Sequence, residues 1–431
     1  MSPVTAIKLA ILIYLFALTG CALQPRQINK LADNLAISGA QETLRALDKT
    51  KSKERDRAFY LLNRGSLKRL TGELNGSNID LQSAKDTMTA LQATSVSENV
   101  GALAVNETLR SYFGTPSERM LVHQLMAYNY LQLGSLDDAR VEILQADVTM
   151  RGLAKRDSLR GQLASGHLLS GTVYELNGEL DNAMISYRRA LEVMDERQQQ
   201  IPLALQDSLL QVSFGQSFIE EYQRYSERFS RSAQPLAPGE KELLVFYADG
   251  NVSSKRQQIS SVFSTELHQN VSLALPYYPP ANYRPQFLTI NVAGEYHRTQ
   301  VMENIEGLAR KDLEEQMLAI TATTLVRATA KYHAVKKVGE EQGGVAGLMM
   351  LAATTISEQA DLRSWNMLPS SLQVARIRIP EGVSFDQVDL PNGMSSADVL
   401  RFNRGNTLVL LASSLDQFLR DEKQPENNTE H

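Results

Sequence analysis

The chain has 431 residues, which is enough for two or three domains with hydrophobic cores of their own. Its formal net charge of −5 excludes the strongly basic surface that nucleic-acid-binding proteins use, so we expect no nucleic-acid partner. It carries one cysteine, Cys21, which excludes an internal disulfide and a cysteine-based metal site.

The first residues are typical of a secretory signal peptide over 1–20. Lys8 is the only charged side chain before an almost wholly apolar run at 9–18, and that run is shorter than the ~20 residues that a membrane-spanning helix needs. The run leads into the tetrapeptide Leu-Thr-Gly-Cys at 18–21, which resembles the bacterial lipobox. The resemblance implies cleavage before Cys21 and attachment of lipid to its sulfur, because only a thiolate is nucleophilic enough for that step.

We therefore expect Cys21 to anchor the mature chain to a membrane. Each methylene of the acyl chains that is buried in the bilayer contributes ~0.8 kcal/mol to the free energy of membrane binding. Ala22 follows it, whereas lipoproteins that enterobacteria retain in the inner membrane tend to carry aspartate there. The resemblance thus implies the outer membrane and a protein that faces the periplasm. The alternative is an ordinary signal peptide with an incidental cysteine near its cleavage site.

Two turn glycines in the first half are surrounded by the same pattern of small and large residues, at offsets −7, −4, 0, +5, +9 and +12. The two copies are Ala127, Tyr130, Gly134, Ala139, Ile143 and Ala146, and then Gly171, Tyr174, Gly178, Ala183, Tyr187 and Ala190. This pattern resembles the tetratricopeptide repeat (TPR), which implies two crossing helices with glycine in the turn between them. On that basis the tyrosines are interpreted as core positions rather than as a binding site.

A weaker copy precedes these two. Gly65, Gly72, Leu81 and Ala84 fall at the same offsets, but Lys68 and Ser77 replace the aromatic residue and the alanine. Apolar helical segments flank the repeats at 31–47 and 203–229, so we predict a TPR-like helical solenoid over 27–235. Solenoids usually bind a protein or peptide on their concave surface, although a rigid spacer is the alternative.

The breaker-rich stretch 232–239 predicts a domain boundary, and a smaller α+β domain is expected over 240–413. Its predicted strands lie at 243–248, 287–292, 372–379 and 407–412. Two helices, 308–341 and 345–359, are predicted between the second and third strands, separated by a glycine pair. The second helix starts with about twelve apolar residues, which is too short to span a bilayer, so burial against the sheet is favoured. Residues 420–431 are predicted to be a disordered tail.

A proline-rich loop at 275–285 carries three tyrosines, Tyr277, Tyr278 and Tyr283. Exposed tyrosines on a stiff loop suit a partner surface. A long connection packed by its own aromatic residues is the alternative.

Two further segments, 110–123 and 359–369, resemble a family of bacterial lipoproteins with tetratricopeptide repeats in front and an α/β part behind. The second segment, Gln-Ala-Asp-Leu-Arg-Ser-Trp followed by Leu368-Pro369, is the more specific. The resemblance implies a Gram-negative envelope protein. Members of that family tend to be encoded beside a lipoprotein that activates peptidoglycan synthases, which points to the peptidoglycan synthesis machinery as a partner.

No pattern of residues predicts catalysis, a metal site or a cofactor. The six histidines include no pair at helical metal-ligand spacing, and hydrolase, metalloprotease and phosphate-loop motifs are missing from the sequence. Asp361, Arg363 and Trp365 are interpreted as a structural corner rather than a site.

Two functions follow from these features. The first is a lipid-anchored periplasmic scaffold, not an enzyme, that binds a protein partner in cell-envelope assembly or maintenance. The alternative is a protein that binds or acts on peptidoglycan through the α+β domain, which would need paired carboxylates or a polar aromatic platform in a cleft.

Overall fold

The computed structural model describes residues 23–94, 110–153, 161–265, 267–280, 283–342, 359–384, 387–390, 399–402 and 406–415. The predicted signal peptide, Cys21, the helix predicted at 345–359 (all but its last residue) and the tail at 420–431 lie outside this description. No helix within the described ranges is both long and apolar enough to cross a membrane.

Three short helices and one turn of 3-10 helix begin the described chain. They are α1 (Leu23–Asp33), α2 (Leu35–Ser38), α3 (Ala40–Asp48) and the 3-10 turn Glu54–Asp56. Buried apolar residues of α1 and α3, such as Ile28 and Leu44, join the main core. The N-terminal helices therefore belong to the folded body.

Four helical hairpins follow in the described residues, and they confirm the predicted TPR-like region. Their helices are α4 (Arg57–Leu70) with α5 (Leu74–Thr94), α6 (Pro116–Gln132) with α7 (Leu136–Leu153), α8 (Ala164–Leu176) with α9 (Leu180–Glu196), and α10 (Leu203–Gly215) with α11 (Ile219–Phe229). The last pair forms a fourth hairpin that the glycine pattern did not reveal.

All four hairpins turn through one residue with positive φ. Gly72, Gly134 and Gly178 have φ of 81°, 73° and 76°, and Ser217 takes the same place with φ of 59°. At each turn the N–H after this residue bonds back to the carbonyl five residues earlier, as Glu179 N does to Tyr174 O at 2.8 Å. Because serine can adopt this conformation at some energetic cost, the fourth turn forms without glycine.

The first hairpin accommodates its two deviations from the repeat pattern by polar pairing. Lys68 extends along Gly76, and its ammonium lies 2.9 Å from the buried carboxylate of Asp80. Ser77 is buried and donates to Gly65 O at 2.8 Å. The hairpin thus closes although the aromatic residue and the alanine are missing.

A mixed five-stranded sheet in the order β6-β7-β1-β10-β9 forms the centre of the second half. Its strands are β1 (Lys241–Asp249), β6 (Gln300–Asn304), β7 (Ser371–Ile379), β9 (Val399–Phe402) and β10 (Thr407–Ser413), and β1 runs parallel to β10 and antiparallel to β7. The order of helical hairpins followed by an α+β part confirms the predicted fold class. All four strands predicted from the sequence are present.

Smaller elements surround this sheet. They are the hairpin β2 (Arg256–Ser264) with β3 (Gln269–Tyr277), the three-stranded sheet of β4 (Thr289–Val292), β5 (Glu295–Arg298) and β8 (Val388–Asp389), and the helix α12 (Ile305–Gln342). α12 follows β6 directly and packs against β3. It begins a few residues before the start of the predicted helix 308–341.

The five-stranded sheet is buried on both faces. One face, which includes Leu244 and Phe246, joins the core of the helical hairpins, and the Phe246 ring lies 5.6 Å from that of Tyr128. The other face, which includes Leu243 and Val245, packs on the three-stranded sheet. A strand buried on both sides needs apolar residues at successive positions, which explains the unbroken apolar run in β1.

Candidate functional site

The inner surface of the helical hairpins is covered by the second half of the same chain. The first helices of the second and third hairpins, α6 and α8, are buried along most of their length, since the second helices lie on one side and the sheet on the other. This differs from the open concave surface expected of a solenoid. This surface is therefore not free to bind another protein.

The segment at 360–369, which has no helix or strand and turns at 366–368, lies against the helices α4 and α6. Glu118 Oε1 accepts from Trp365 N at 2.6 Å, and Asn63 Oδ1 accepts from Met367 N at 3.2 Å. The Trp365 indole N–H donates to Ser66 Oγ at 2.8 Å, and its ring is buried. Side chains on α4 and α6 thus bind the backbone of a segment from the other half.

The two segments that carry the lipoprotein-family resemblance meet at this place. Glu118 accepts from Thr115 N in a capping box at the start of α6, from the Tyr112 hydroxyl at 2.5 Å and from Trp365 N. Arg363 donates to Arg110 O at 2.8 Å. Residues about 250 positions apart in sequence therefore form one contact, which a single sequence cannot reveal.

Arg363 is buried between two carboxylates. Its guanidinium lies 2.8 Å from Asp56 and 2.6 Å from Asp361, and it also lies over the Tyr112 ring. Burial alone would raise the pKa of Asp361, but the charge of Arg363 outweighs it and holds that pKa below its usual range. The geometry is that of a structural corner in which an ion pair and a tryptophan hold the two halves together.

Further buried ion pairs cross between the halves. Arg376 on β7 lies 2.6 Å from both Glu175 on α8 and Glu242 on β1. Arg197, which follows α9, lies 2.8 Å from Glu303 on β6. Burial raises the pKa of Glu303, and the positive charge of Arg197 only partly offsets this increase.

The predicted TPR positions lie in the interior of the hairpins, apart from the two turn glycines. Those that are fully or largely buried are Ala127, Ala139, Ile143, Ala146, Gly171, Ala183, Tyr187 and Ala190. A Cβ atom on Gly171 would lie 2.4 Å from the Tyr187 ring, so a glycine is needed where α8 and α9 cross. Tyr130 and Tyr174 are half-buried beside the same core.

The tyrosine loop makes intramolecular contacts. The Tyr283 hydroxyl bonds to Asp249 and lies 2.9 Å from Ser371 Oγ, and the half-buried Tyr278 lies between the cations of Lys255 and Arg310. Burial raises the pKa of both tyrosines. For these two residues the structure favours a connection packed by its own aromatic residues over a partner surface, and Tyr277 is half-buried at the end of β3.

An apolar groove opens on the outer side of the hairpins, between α5 and α7. We call it the outer groove; its volume is about 920 Å³. Val141, Leu144 and Val148 of α7 are exposed along it, at helical spacing on one face. Large exposed apolar patches of this kind often mark the site where a protein binds a partner.

The floor of the outer groove contains a buried polar network. Glu142 bonds to His123 Nδ1 and lies 3.0 Å from the Lys85 ammonium, and His123 Nε2 lies 3.1 Å from Thr149 Oγ1. Burial raises the pKa of Glu142, but the hydrogen bonds from His123 and Lys85 and the positive charge of Lys85 lower it more. The network fixes α5 and α6 against α7, which gives the groove a defined shape.

No group of three or more His, Cys, Asp or Glu side chains suited to a metal ion occurs among the described residues. The lipid-attachment residue predicted from the lipobox, Cys21, lies outside them.

No protein-family model matches the chain, and no curated protein matches it. The solved structures that are similar to about half of it include BtubC (BKLC) from P. vanneervenii, with 17% sequence identity, coverage of 49% of this chain and 86% of that chain, and a TM-score of 0.33. They also include MamA protein, with 13% identity, coverage of 50% of this chain and 98% of that chain, and a TM-score of 0.31. The Rap conjugation gene regulator of plasmid pLS20 in complex with the Phr* peptide is similar at 13% identity, with coverage of 44% of this chain and 45% of that chain and a TM-score of 0.27. At these TM-scores the matches support no argument about function, so the fold assignment depends on the hairpins described above.

Proposed function

We propose that this protein is a lipid-anchored scaffold of the bacterial cell envelope that binds a protein partner through the outer groove. The observation that carries the proposal is the exposed apolar face of α7 beside a groove of about 920 Å³. Because the inner surface is already covered by the chain itself, the outer groove is an apolar surface that the hairpins can offer to another protein.

The outer face has a feature that repeats with the hairpins. Ile79, Val141 and Ile185 stand seven residues after the turn glycines of the first three hairpins, and all three are exposed. Repeat proteins use equivalent positions on successive repeats to build an extended binding surface. The exposed aliphatic side chains therefore favour a partner that contacts more than one hairpin.

The chemistry of the outer groove suits an apolar face of a partner helix. Val141, Leu144 and Val148 occupy positions i, i+3 and i+7, which is the spacing by which an amphipathic helix packs into a neighbour. Polar side chains such as Gln82 and Asp86 border the groove and keep its rim solvated. The partner we propose is an envelope protein, with the peptidoglycan synthesis machinery as the expected context.

The proposed anchor would hold this surface close to a membrane. α1 begins at Leu23, so at most two residues connect the lipid on Cys21 to the first helix, a reach of roughly 7 Å. Asn29 on α1 donates to Leu362 O at 3.2 Å, and Arg256 on β2 pairs with Asp33 at 2.6 Å. Both halves of the protein would therefore be tied to the anchor. The location we propose is the periplasmic side of the outer membrane.

Photo-crosslinking in the cell tests the partner surface. A photoreactive residue is placed at Val148 of the full-length lipoprotein and, as a matched control, at Val326 on α12, because the two side chains are 70% and 71% exposed. We expect one identified envelope protein to be captured from position 148 and not from position 326. The same capture should be lost in the Leu144→Asp variant.

The proposal is wrong if both positions capture the same proteins, or if position 148 crosslinks only to its own chain. The Cys21→Ser variant separately tests the anchor. The parent protein should incorporate radioactive palmitate and the variant should not, and equal incorporation by both proteins would contradict lipid attachment at Cys21.

A further inference from the structure

Two consecutive strands, β5 and β6, are each the edge strand of a sheet in the second half. β5 ends the three-stranded sheet and β6 ends the five-stranded sheet, and a single residue, Thr299, joins them. Thr299 is buried; its hydroxyl accepts from Leu288 N at 3.0 Å and donates to Gln373 Oε1 at 2.6 Å. Within the described residues, β5 pairs only with β4 and β6 pairs only with β7, so each of the two strands has one side without a paired strand.

The backbone of β5 presents hydrogen-bonding groups to that open side. Ala293 and Gly294, with φ of 51° and 95°, form the two-residue turn between β4 and β5, and positive φ at both positions is typical of a type I′ turn. The two residues that flank such a turn form a hydrogen-bonded pair, and from there hydrogen-bonded and non-hydrogen-bonded pairs alternate along the two strands. Tyr296 and Arg298 consequently belong to non-hydrogen-bonded pairs, so their N–H and C=O groups point away from β4.

A cleft of about 750 Å³ lies beside these two strands, and its walls also include the connection from α9 to α10 and residues 375–377 of β7. Leu203 N donates to Gln300 Oε1 at 2.6 Å, which fixes that connection against β6. Tyr296 stands at the rim with 74% of its surface exposed. Tyrosine in such a position is well suited to binding, because it offers a large contact area and loses little conformational entropy.

The lining of the cleft favours a negatively charged ligand. It contains Arg298 and Arg376 but no aspartate or glutamate among the described residues. The charge of Arg376 is compensated by two glutamates, whereas Arg298 stacks on the Phe287 ring at 3.9 Å and forms no ion pair with a described carboxylate. One positive charge therefore remains available to a ligand in the cleft.

We infer that an extended, acidic peptide segment of a partner adds to the β5 edge as a further strand. Its backbone would bond to the outward N–H and C=O groups of Tyr296 and Arg298, as in other cases of strand addition. An acidic side chain of the segment would pair with Arg298, and its neighbours would contact Tyr296. This site lies on the second half and is independent of the outer groove.

A fluorescently labelled peptide of alternating valine and glutamate tests the inference, with the valine–lysine peptide as its matched control. Binding to the full chain in mild detergent is followed by fluorescence anisotropy. We expect the acidic peptide to bind and the basic peptide not to bind. Arg298→Ala should weaken binding at least fivefold, whereas Arg151→Ala, a similarly exposed arginine on α7, should not change it.

A pair of substitutions at Tyr296 separates strand addition from side-chain contact. Tyr296→Ala removes only the side chain, while Tyr296→Pro also removes the outward N–H without breaking the ladder to β4. We expect Tyr296→Pro to weaken binding at least three times more than Tyr296→Ala, with both variants unfolding at a similar temperature.

Equal effects of the two substitutions would overturn strand addition. Equal binding of both peptides would overturn the charge preference. Failure of the acidic peptide to bind at millimolar concentration would mean that this short, charged edge only prevents self-association. Pelleting of the protein with purified peptidoglycan that Arg298→Ala abolishes, together with no binding of the acidic peptide, would assign the cleft to a glycan instead.

Discussion

Arg363 shows how one residue holds the two halves of this protein together. Its side chain is buried between Asp56 and Asp361, and it also donates to the carbonyl of Arg110. Removing one partner from a buried ion pair leaves an uncompensated charge, which costs more than the pair itself contributes.

We expect Arg363→Ala to lower the free energy of unfolding by about 3–5 kcal/mol, because it removes the closest cation from the buried carboxylate of Asp56 and from the partly buried carboxylate of Asp361. Urea unfolding measures the change. Arg151→Ala removes an exposed arginine from a pair within α7 and should change the free energy by less than about 0.5 kcal/mol. A loss below about 1 kcal/mol at Arg363 would show that this corner does not stabilise the fold.

His167 makes the stability of the protein sensitive to acid. Burial and the nearby charges of Arg189 and Arg197 lower its pKa to about 3, and its Nε2 lies 3.0 Å from Gln162 Oε1. In the unfolded chain a histidine takes up its proton near pH 6.5. Between these two values the unfolded state binds the proton and the folded state does not, so stability is lost as the pH falls.

The His167→Gln variant should therefore show a flatter dependence of the unfolding free energy on pH between about 6.5 and 3. The difference in slope from the parent protein is at most ~1.4 kcal/mol per pH unit. Chemical unfolding at a series of pH values measures it. Parallel curves for the two proteins would mean that His167 is protonated in the folded state.

At the scale of elements, the turn positions decide how the hairpins close. A Cβ atom at Gly178 would meet nothing within 4 Å, so only its positive φ opposes a larger residue there. Ser217 adopts the same conformation with a side chain. The two positions therefore allow the conformational cost of the turn to be measured in both directions.

We expect Gly178→Ala to cost about 1 kcal/mol and Ser217→Gly to stabilise the protein by on the order of 0.5 kcal/mol. Gly171→Ala should cost more than either change, at about 1–3 kcal/mol, because the added methyl overlaps the Tyr187 ring. Differential scanning calorimetry of the three variants tests this order. Destabilisation by Ser217→Gly would show that the serine side chain contributes more than the strained backbone costs.

The sequence predicted those elements whose signal is local. The turn glycines at 134 and 178 and the apolar runs of β1 and β10 were sufficient to place their hairpins and strands. The fourth hairpin was not recognised as a repeat, because serine replaces glycine at its turn. The hairpin of β2 and β3 was also missed, since much of β2 is exposed and polar and shows no clear alternation.

At the scale of the whole molecule, the relation between the halves could not be predicted. The contacts of Asn63, Ser66 and Glu118 with the segment at 360–369 join residues that are far apart in sequence. The polar character of these three residues did not indicate these contacts, because asparagine, serine and glutamate on helices usually face solvent. For the same reason the sequence indicated an open inner surface, and the outer groove emerged only from the packing of α5, α6 and α7.

The covered inner surface implies that the two halves fold as one unit. The hydrophobic core runs from the helices of the first half into one face of the sheet, and several buried ion pairs cross between them. Separating the halves would expose this core and leave those charges unpaired. We therefore expect no stable intermediate in which the hairpins are folded and the segment at 360–369 is detached.

Trp365 provides the most direct test, since it is the only tryptophan in the chain and lies buried where the two halves meet. Urea unfolding is followed by tryptophan fluorescence, which reports on this contact, and by far-ultraviolet circular dichroism, which reports chiefly on the helices. We expect the two curves to coincide, with one midpoint and one slope. A fluorescence transition that precedes the loss of helix would show that the hairpins fold without their second half and that the inner surface is open to a partner.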